Sequence, residues 1–395
     1  MIRLLHISDV HINKSFATKD EVLRHRMQRA VIKSFQNAIT YCISSGLDAL
    51  MIAGDLFDSQ QVSLKDGELV KDAFEQLKKH DIKVFYASGN HDFTHYDSKI
   101  RHLDYPSNVR TFFSDDVETY ELHDRITHDI YKVVGCGHVM QHESRPLIEK
   151  FPVGKHIGLA HSMVASPITK GDEGDYLPST IETLTSKGYL YFALGHIHQN
   201  GSIDKHETIY YAGALQGLNS NETGIKGGNL VTINDGQVDV KFVPLSVMSF
   251  EKMDIDISGL DTLEALFEST KVELSEYLKD LEQNKLSIEI KYTGRSKLYK
   301  TLRNAHEISD LRSLILDYFS VFDIKIKSEV KTVYDAESYK NKRSVLGEIL
   351  KSLEDISRSG LPKLNYLSVE PSSSEMTEGM EDQIMAYFLE GYDED

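Results

Sequence analysis

The sequence predicts an α/β fold, and three observations carry that prediction. Short apolar runs of strand length recur through the first half of the chain. Helical periodicity fills the stretch between the first two of them, residues 20–45. Polar clusters rich in Asp, Asn and His fall directly after the runs. In open α/β sheets the loops leaving the carboxyl ends of strands converge on one crevice, so clusters far apart in sequence can meet there.

The elements follow in order. Residues 2–8 read as a strand that delivers Asp9 and His11. Asp48 to Ala53 delivers Asp55, and Lys83 to Ala87 delivers Asn90 and His91. His156 to Ala160 delivers His161, and Tyr189 to Leu194 delivers His196 and His198. After Pro244 the character changes: alternation over 250–257, helical spacing over 263–281, alternation over 285–292, helix again within 297–319, and alternation over 321–333. That β-α-β-α-β order suggests a small α+β domain. Ser344 to Ser357 places Val345, Leu346, Ile349, Leu350, Leu353 and Ile356 on one helical face. A Pro/Gly/Ser linker follows, then a capping-box pattern at 372–375 ahead of Met376, Met380, Ile384 and Phe388. The expected organisation is 1–245 catalytic, 246–336 α+β, and 337–395 a helical docking arm with an acidic tail.

The ligand chemistry is specific. Two carboxylates, one amide oxygen and four imidazoles are offered with no thiolate, since Cys42 reads as helical and Cys136 as part of a strand. Such a set suits manganese, iron or zinc and disfavours a structural zinc site. Taken singly, Asp-x-His and Gly-Asp are turn signals; five clusters in this order, each after a strand, point to a two-metal hydrolytic centre. Asp55 is the natural bridge. One ion is assigned to Asp9, His11, Asp55 and His198, the other to Asp55, Asn90, His161 and His196. Two dications beside two carboxylates leave the site positive, suited to an anionic phosphate, and lower the pKa of a bridging water. His91 follows ligand Asn90 and is expected to act on the phosphorane or the leaving oxygen. Asp58, one helical turn after Asp55, is expected to accept its hydrogen bond and fix its tautomer. His6 is a candidate to support the ligands from behind. His25, His80, His95, His102, His123, His128, His138, His142, His156 and His206 read as surface or loop residues.

Asp9-Val-His11, Gly54-Asp55, Gly89-Asn90-His91-Asp92, His161 and Gly195-His196-x-His198 resemble the complete signature of the calcineurin-like metallophosphoesterases. Within them the chain is similar to the DNA-repair nuclease branch, the SbcD and YhaO-like proteins. The stretch Tyr211 to Gly228, with Gln216-Gly217, Glu222-Thr223-Gly224 and Lys226-Gly227, carries that finer likeness, and Ala212 stands where a Pro is expected. The resemblance implies an αββα-sandwich core, a Mn-supported phosphodiesterase acting on DNA, and a coiled-coil ATPase partner of the SbcC or YhaN-like kind. It also implies that the small α+β domain caps the nuclease cleft.

Composition bounds the rest. No apolar run is long enough to cross a bilayer, and the chain enters a strand at residue 2, leaving no room for a signal sequence. Two cysteines in unrelated contexts point to a reducing cytoplasm. The net charge of −17 is unevenly spread. Residues 1–110 carry 15 Lys/Arg against 14 Asp/Glu, residues 111–250 carry 10 against 17, and residues 251–395 carry 19 against 30. Acidity therefore gathers away from the first half of the catalytic domain, and it predicts DNA binding that is weak by itself and sensitive to salt. Arg26 and Arg29 share a face of the 20–45 helix and are candidates to clamp a substrate phosphate, although helix charges are commonly just solvated. From residue 364 onward there are nine acidic residues and no Lys or Arg. An apolar, Met-containing stripe on such a tail fits an adaptable partner interface.

The reading is a Mn-dependent DNA phosphodiesterase, exo- or endonucleolytic, in a repair complex, with a homodimer open. Two rivals stay open: a phosphoesterase of nucleotides or cyclic nucleotides, and a non-catalytic scaffold on the same fold.

Overall fold

A computed structural model of the chain describes residues 1–124, 127, 129–165, 176–279, 281–333, 339–341, 344–359, 380 and 384–385. The chain divides into two compact units, Met1–Glu251 with Lys285–Ser287, and Lys252–Asn284 with the residues from Ile288 onward. The first thus runs past the 245 expected, and the second takes in residues that the sequence reading divides between a small domain and an arm.

In the first unit β1 (Ile2–Ile7), β2 (Ala49–Ala53), β3 (Lys83–Ala87) and β4 (Val109–Phe112) pair in parallel. The antiparallel strands β13 (Gly227–Asn234) and β14 (Gln237–Pro244) extend that sheet beside β1. A second six-stranded sheet is built from β5 (Glu118–His123), β6 (Ile130–Gly135), β7 (Ile157–His161), β10 (Tyr191–Gly195), β11 (Gly201–Ser202) and β12 (Ile209–Tyr211). Its order is β11-β12-β10-β7-β6-β5. The short strands β8 (Val164–Ala165) and β9 (Ser179–Thr180) form a separate pair.

Alternation assigns the layers. Ile2 and Leu4 of β1, Met51 of β2 and Phe85 of β3 meet Ile157, Leu159, Tyr191 and Ala193 of the second sheet in a core between the sheets. The opposite-facing Leu5, Ile7, Leu50, Ile52 and Val84 pack under two crossover helices, α1 (Glu21–Ser44) and α2 (Leu64–Lys79). Strands buried on both faces explain why the sequence shows continuous apolar runs there rather than alternation. The helices start where their caps dictate: Asp20 accepts from the Leu23 amide at 3.0 Å and Ser63 from the Asp66 amide at 3.1 Å. Val31, Phe35, Ala38, Ile39 and Cys42 form the buried stripe of α1. On the far side of the second sheet, Val134, Ala160, Phe192 and Leu194 are covered by the 147–150 turn and by α3 (Ile181–Ser186). The layers are α, β, β, α, as the sequence leads one to expect. Cys136 lies just beyond β6 rather than within a strand, and both cysteines are buried and free.

The second unit contains most of β15 (Ser249–Asp256), most of β16 (Leu286–Thr293) and all of β17 (Asp323–Ser328), which form one sheet in that order. Two helices complete it, α4 (Leu263–Tyr277) and α5 (Ala305–Tyr318). The segment ahead of α5 is a pair of short 3-10 turns, 297–299 and 301–303. α6 (Val345–Ser359) turns Leu346 and Leu350 into a small cluster with Met385, while Val345 is exposed. The capping box at 372–375, Met376 and Phe388 lie outside the described residues. Among the described residues no helix is long and apolar enough to cross a membrane.

Candidate metal centre

The predicted ligands stand where the strands of both sheets end. β1 ends at Ile7 and β2 at Ala53, and the loops that follow run side by side. The Val10 and His11 amides both donate to the Asp55 carbonyl, at 2.9 and 3.0 Å. Asp9 (φ 49°), His11 (φ 53°), Asp55 (φ 52°) and His196 (φ 100°) all hold left-handed backbone. Each such residue costs roughly 1–3 kcal/mol and persists only where its surroundings impose it, a pattern that gathers at functional sites. Two glycines make the approach feasible. A Cβ on Gly89 would lie 2.2 Å from Asp55 Oδ1, and one on Gly54, itself at φ 85°, would lie 2.4 Å from the His161 ring.

Two groups of donors result. Asp9, His11 and His198 bring ligand atoms within 4.8 Å of one another, with His198 Nε2 at 3.7 Å from Asp9 Oδ1. In the second group Asn90 Oδ1 lies 2.8 Å from His161 Nε2 and 3.2 Å from His196 Nδ1. Asp55 lies between the groups: its Oδ2 is 3.4 Å from His161 Nε2 and 3.8 Å from His11 Nε2. Outer partners set the tautomers. Asp58 Oδ1 accepts from His11 Nδ1 at 3.0 Å, the Ala53 carbonyl from His161 Nδ1 at 2.9 Å, and Glu222 Oε1 from His198 Nδ1 at 3.0 Å. Each of these rings therefore turns an Nε2 lone pair inward, as ligation requires.

Electrostatics agree with a cationic occupant. Burial, with Asp92 and Asp9 nearby, pushes the Asp55 carboxyl well above the usual carboxylate range. Burial likewise holds His11 and His161 below the usual imidazole value, His161 also feeling His196 and His138. Burial opposes charge on His198, yet Glu222 and Asp9 together raise its pKa. Among the described residues, Asp9 Oδ1 and His11 Nε2 are buried with no hydrogen-bond partner. Buried orphans of this kind are costly, and a divalent ion is what carboxylate oxygen and neutral imidazole nitrogen would share. The donor set fits.

Other predicted residues fall differently. Asp58 is not one helical turn beyond Asp55; the segment is a loop bridged from Ile12 to Phe57. Its carboxylate binds His11 and Lys14, the latter at 2.9 Å. His91 Nδ1 reaches the Asp58 backbone carbonyl at 3.0 Å and stands 3.9 Å from the carboxylate. Burial works against charge on Asp58, but the bonds from His11 and Lys14 lower its pKa. Arg26 is half-buried and Arg29 exposed on α1. His6 is buried between the sheets and bonded to the Tyr191 hydroxyl at 2.8 Å, so it ties β1 to β10. His138, expected at the surface, is fully buried with Nε2 2.7 Å from the His161 carbonyl; its neighbours in sequence are polar, and the packing that covers it is tertiary. His128 lies outside the described residues. The sequence places Asp92 in one of the five clusters but gives it no role; its carboxylate accepts from the Leu56 and Gly89 amides at 2.7 and 2.6 Å and from the Tyr86 hydroxyl. Glu222 was quoted only as a pattern residue. No spacing rule joins a glutamate of one loop to a histidine in the loop after β10.

The model of the calcineurin-like phosphoesterase family matches residues 2–200. The chain is 27% identical over 288 residues to the uncharacterized metallophosphoesterase YhaO of Bacillus subtilis, covering 70% of this chain and 69% of that one. It is 22% identical over 351 residues to the DNA double-strand break repair protein Mre11 of Sulfolobus acidocaldarius, covering 85% of this chain and 88% of that one. A crystal structure of a dimetal phosphatase from Danio rerio aligns at 13% identity and a TM-score of 0.41, over 62% of this chain and 98% of its own. The chain belongs to the calcineurin-like phosphoesterases, metal-dependent hydrolases of phosphate esters.

Proposed function

We propose that the chain is a Mn²⁺-dependent DNA phosphodiesterase, the nuclease subunit of a cytoplasmic repair complex with a coiled-coil ATPase. One observation carries the choice of DNA over a small ester. The likeness to the archaeal double-strand break repair protein spans 85% of the chain, well past the residues 2–200 that the family model matches. The exposed Val345 and Met380 beside the apolar cluster of α6 support a docking arm, and the free buried cysteines fit a reducing compartment.

Asp9, His11, Asp55 and His198 would hold one ion, and Asp55, Asn90, His161 and His196 the other. When bound, such a pair polarises the phosphate ester, stabilises charge on attacking and leaving oxygens, and makes water nucleophilic near neutral pH. The chain's own groups do the rest. Asp58, Ala53 and Glu222 keep the imidazoles presented as lone-pair donors. His91, partly exposed and held by Nδ1, keeps Nε2 available to hydrogen-bond a phosphate oxygen or to protonate the departing sugar oxygen. Arg26 and Arg29 on α1 are assigned to the phosphates of the incoming strand.

The test is cleavage of end-labelled single- and double-stranded DNA with Mn²⁺, beside a mononucleotide and an aryl phosphodiester. Metal-dependent DNA cleavage that rises when the ATPase partner is added is the expected result. Turnover of the small esters with DNA untouched, partner present, would sink the nuclease reading and favour the small-molecule one.

A further inference from the structure

Glu222 lies in the loop between β12 and β13, twenty-four residues after His198 in sequence. Its carboxylate is nevertheless committed at both oxygens. Oε1 accepts from His198 Nδ1 at 3.0 Å and from Asn219 Nδ2 at 2.6 Å, and Oε2 accepts from the Leu218 amide at 2.9 Å. Its side chain is only 13% exposed. A long, flexible side chain is thus immobilised by its own loop on one side and by the imidazole on the other. The loop is anchored in turn by buried Gln216, which accepts from the Val247 amide at 3.0 Å and donates to the Met248 carbonyl at 2.8 Å. Of the three candidate ligand imidazoles whose Nδ1 is bonded to a residue outside the ligand set, His161 is held by a backbone carbonyl and His11 by a carboxylate shared with Lys14. His198 is the most exposed of the three, at 31%, so its ring has the least packing to orient it.

We infer that Glu222 is a positioning residue for His198, and that it sets the affinity of the ion held by Asp9, His11 and His198 without governing the other. The inference rests on the two-metal reading above. The chemistry is that of a carboxylate behind a ligating histidine: it selects the Nδ1–H tautomer, aims Nε2, and makes that nitrogen a stronger donor. Losing such a partner typically lowers metal affinity about 10- to 100-fold.

The experiment is a Mn²⁺ titration of the full chain by calorimetry with metal content measured in parallel, on wild type, E222Q, E222A and N219A. N219A removes a loop contact of Glu222 but leaves the bond to His198. The expected result is two ions in wild type and in N219A with affinities within about twofold, while E222A loses about 10- to 100-fold at one ion only, with E222Q between. Thermal melts of the metal-free proteins report whether each variant is folded. Two ions bound at wild-type affinity by folded E222A would overturn the assignment and leave the metal reading intact. A loss in N219A equal to that in E222A would also overturn it, since the loop and not the carboxylate would be responsible. Wild-type protein that takes up no Mn²⁺ would end the metal reading itself and this inference with it.

Discussion

The Asp58 carboxylate accepts a hydrogen bond from His11 Nδ1 at 3.0 Å, while His91 is bonded to the backbone carbonyl of the same residue. One residue therefore serves two histidines through different atoms, and only one of those services depends on its side chain. Asp58→Ala is expected to weaken Mn²⁺ binding by about 10- to 100-fold through His11, while the His91 contact survives. A metal titration of the variant checks this. Wild-type affinity with a large loss of rate at saturating metal would return Asp58 to the role of a catalytic partner for His91.

His91 itself contributes its main chain to the centre, through the amide that donates to Asp55 Oδ1 at 2.9 Å. His91→Ala keeps that amide and removes only the ring. Metal content should be unchanged and the turnover number should fall by about 10²–10⁴-fold, the range for a positioned general acid or base. A fully active variant would remove His91 from the mechanism.

Asp55 is the point at which function and stability oppose each other. Its buried carboxyl, with Asp92 and Asp9 nearby, has a pKa well above that of the unfolded chain. Without metal, then, ionising it costs the folded state, and the metal-free protein loses stability as pH rises from the unfolded value toward the raised one. Asp55→Asn removes that cost along with the shared ligand. The variant should melt higher than wild type in chelator at neutral pH, yet gain no stabilisation from Mn²⁺ and show no metal-dependent turnover. Calorimetry with and without metal reads both halves, and Mn²⁺ stabilisation equal to wild type would refute the bridging assignment.

His6 offers a test away from the metal ligands. Burial between the sheets pushes its pKa down to about 3 from 6.5. Unfolding exposes the ring, which takes up a proton anywhere between those values. Its neutral form thus favours the fold fully above pH 6.5, and that contribution is lost as pH falls toward 3. His6→Asn in chelator should flatten the stability curve across that window by up to about 1.4 kcal/mol per pH unit. Denaturant titrations between pH 4.5 and 7 measure the slope. An unchanged slope would mean that His6 is not the group being titrated.

The seven candidate ligands are all legible in the sequence. Asp9, His11, Asp55, Asn90, His161, His196 and His198 each follow an apolar run, and strands buried on both faces are written as such runs because every position must be apolar. The run that feeds a ligand and the polar residues that end it are both local, so a linear reading finds them. The α-β-β-α layering was carried by the resemblance to the family signature.

What the tertiary structure decided are the partnerships. That Asp58 spends its carboxylate on His11 and Lys14 follows from two loops lying side by side, and nothing in the spacing of residues 9–14 and 55–58 shows it. That His138 is buried against the His161 carbonyl, and that His6 joins the two sheets through Tyr191, depends on which layers close over them. Glu222 reaches His198 because the β12–β13 loop folds back onto the end of β10. The donors themselves are properties of short segments. Their orientation depends on hydrogen bonds between segments distant in the chain, and those form only once the sheets have packed.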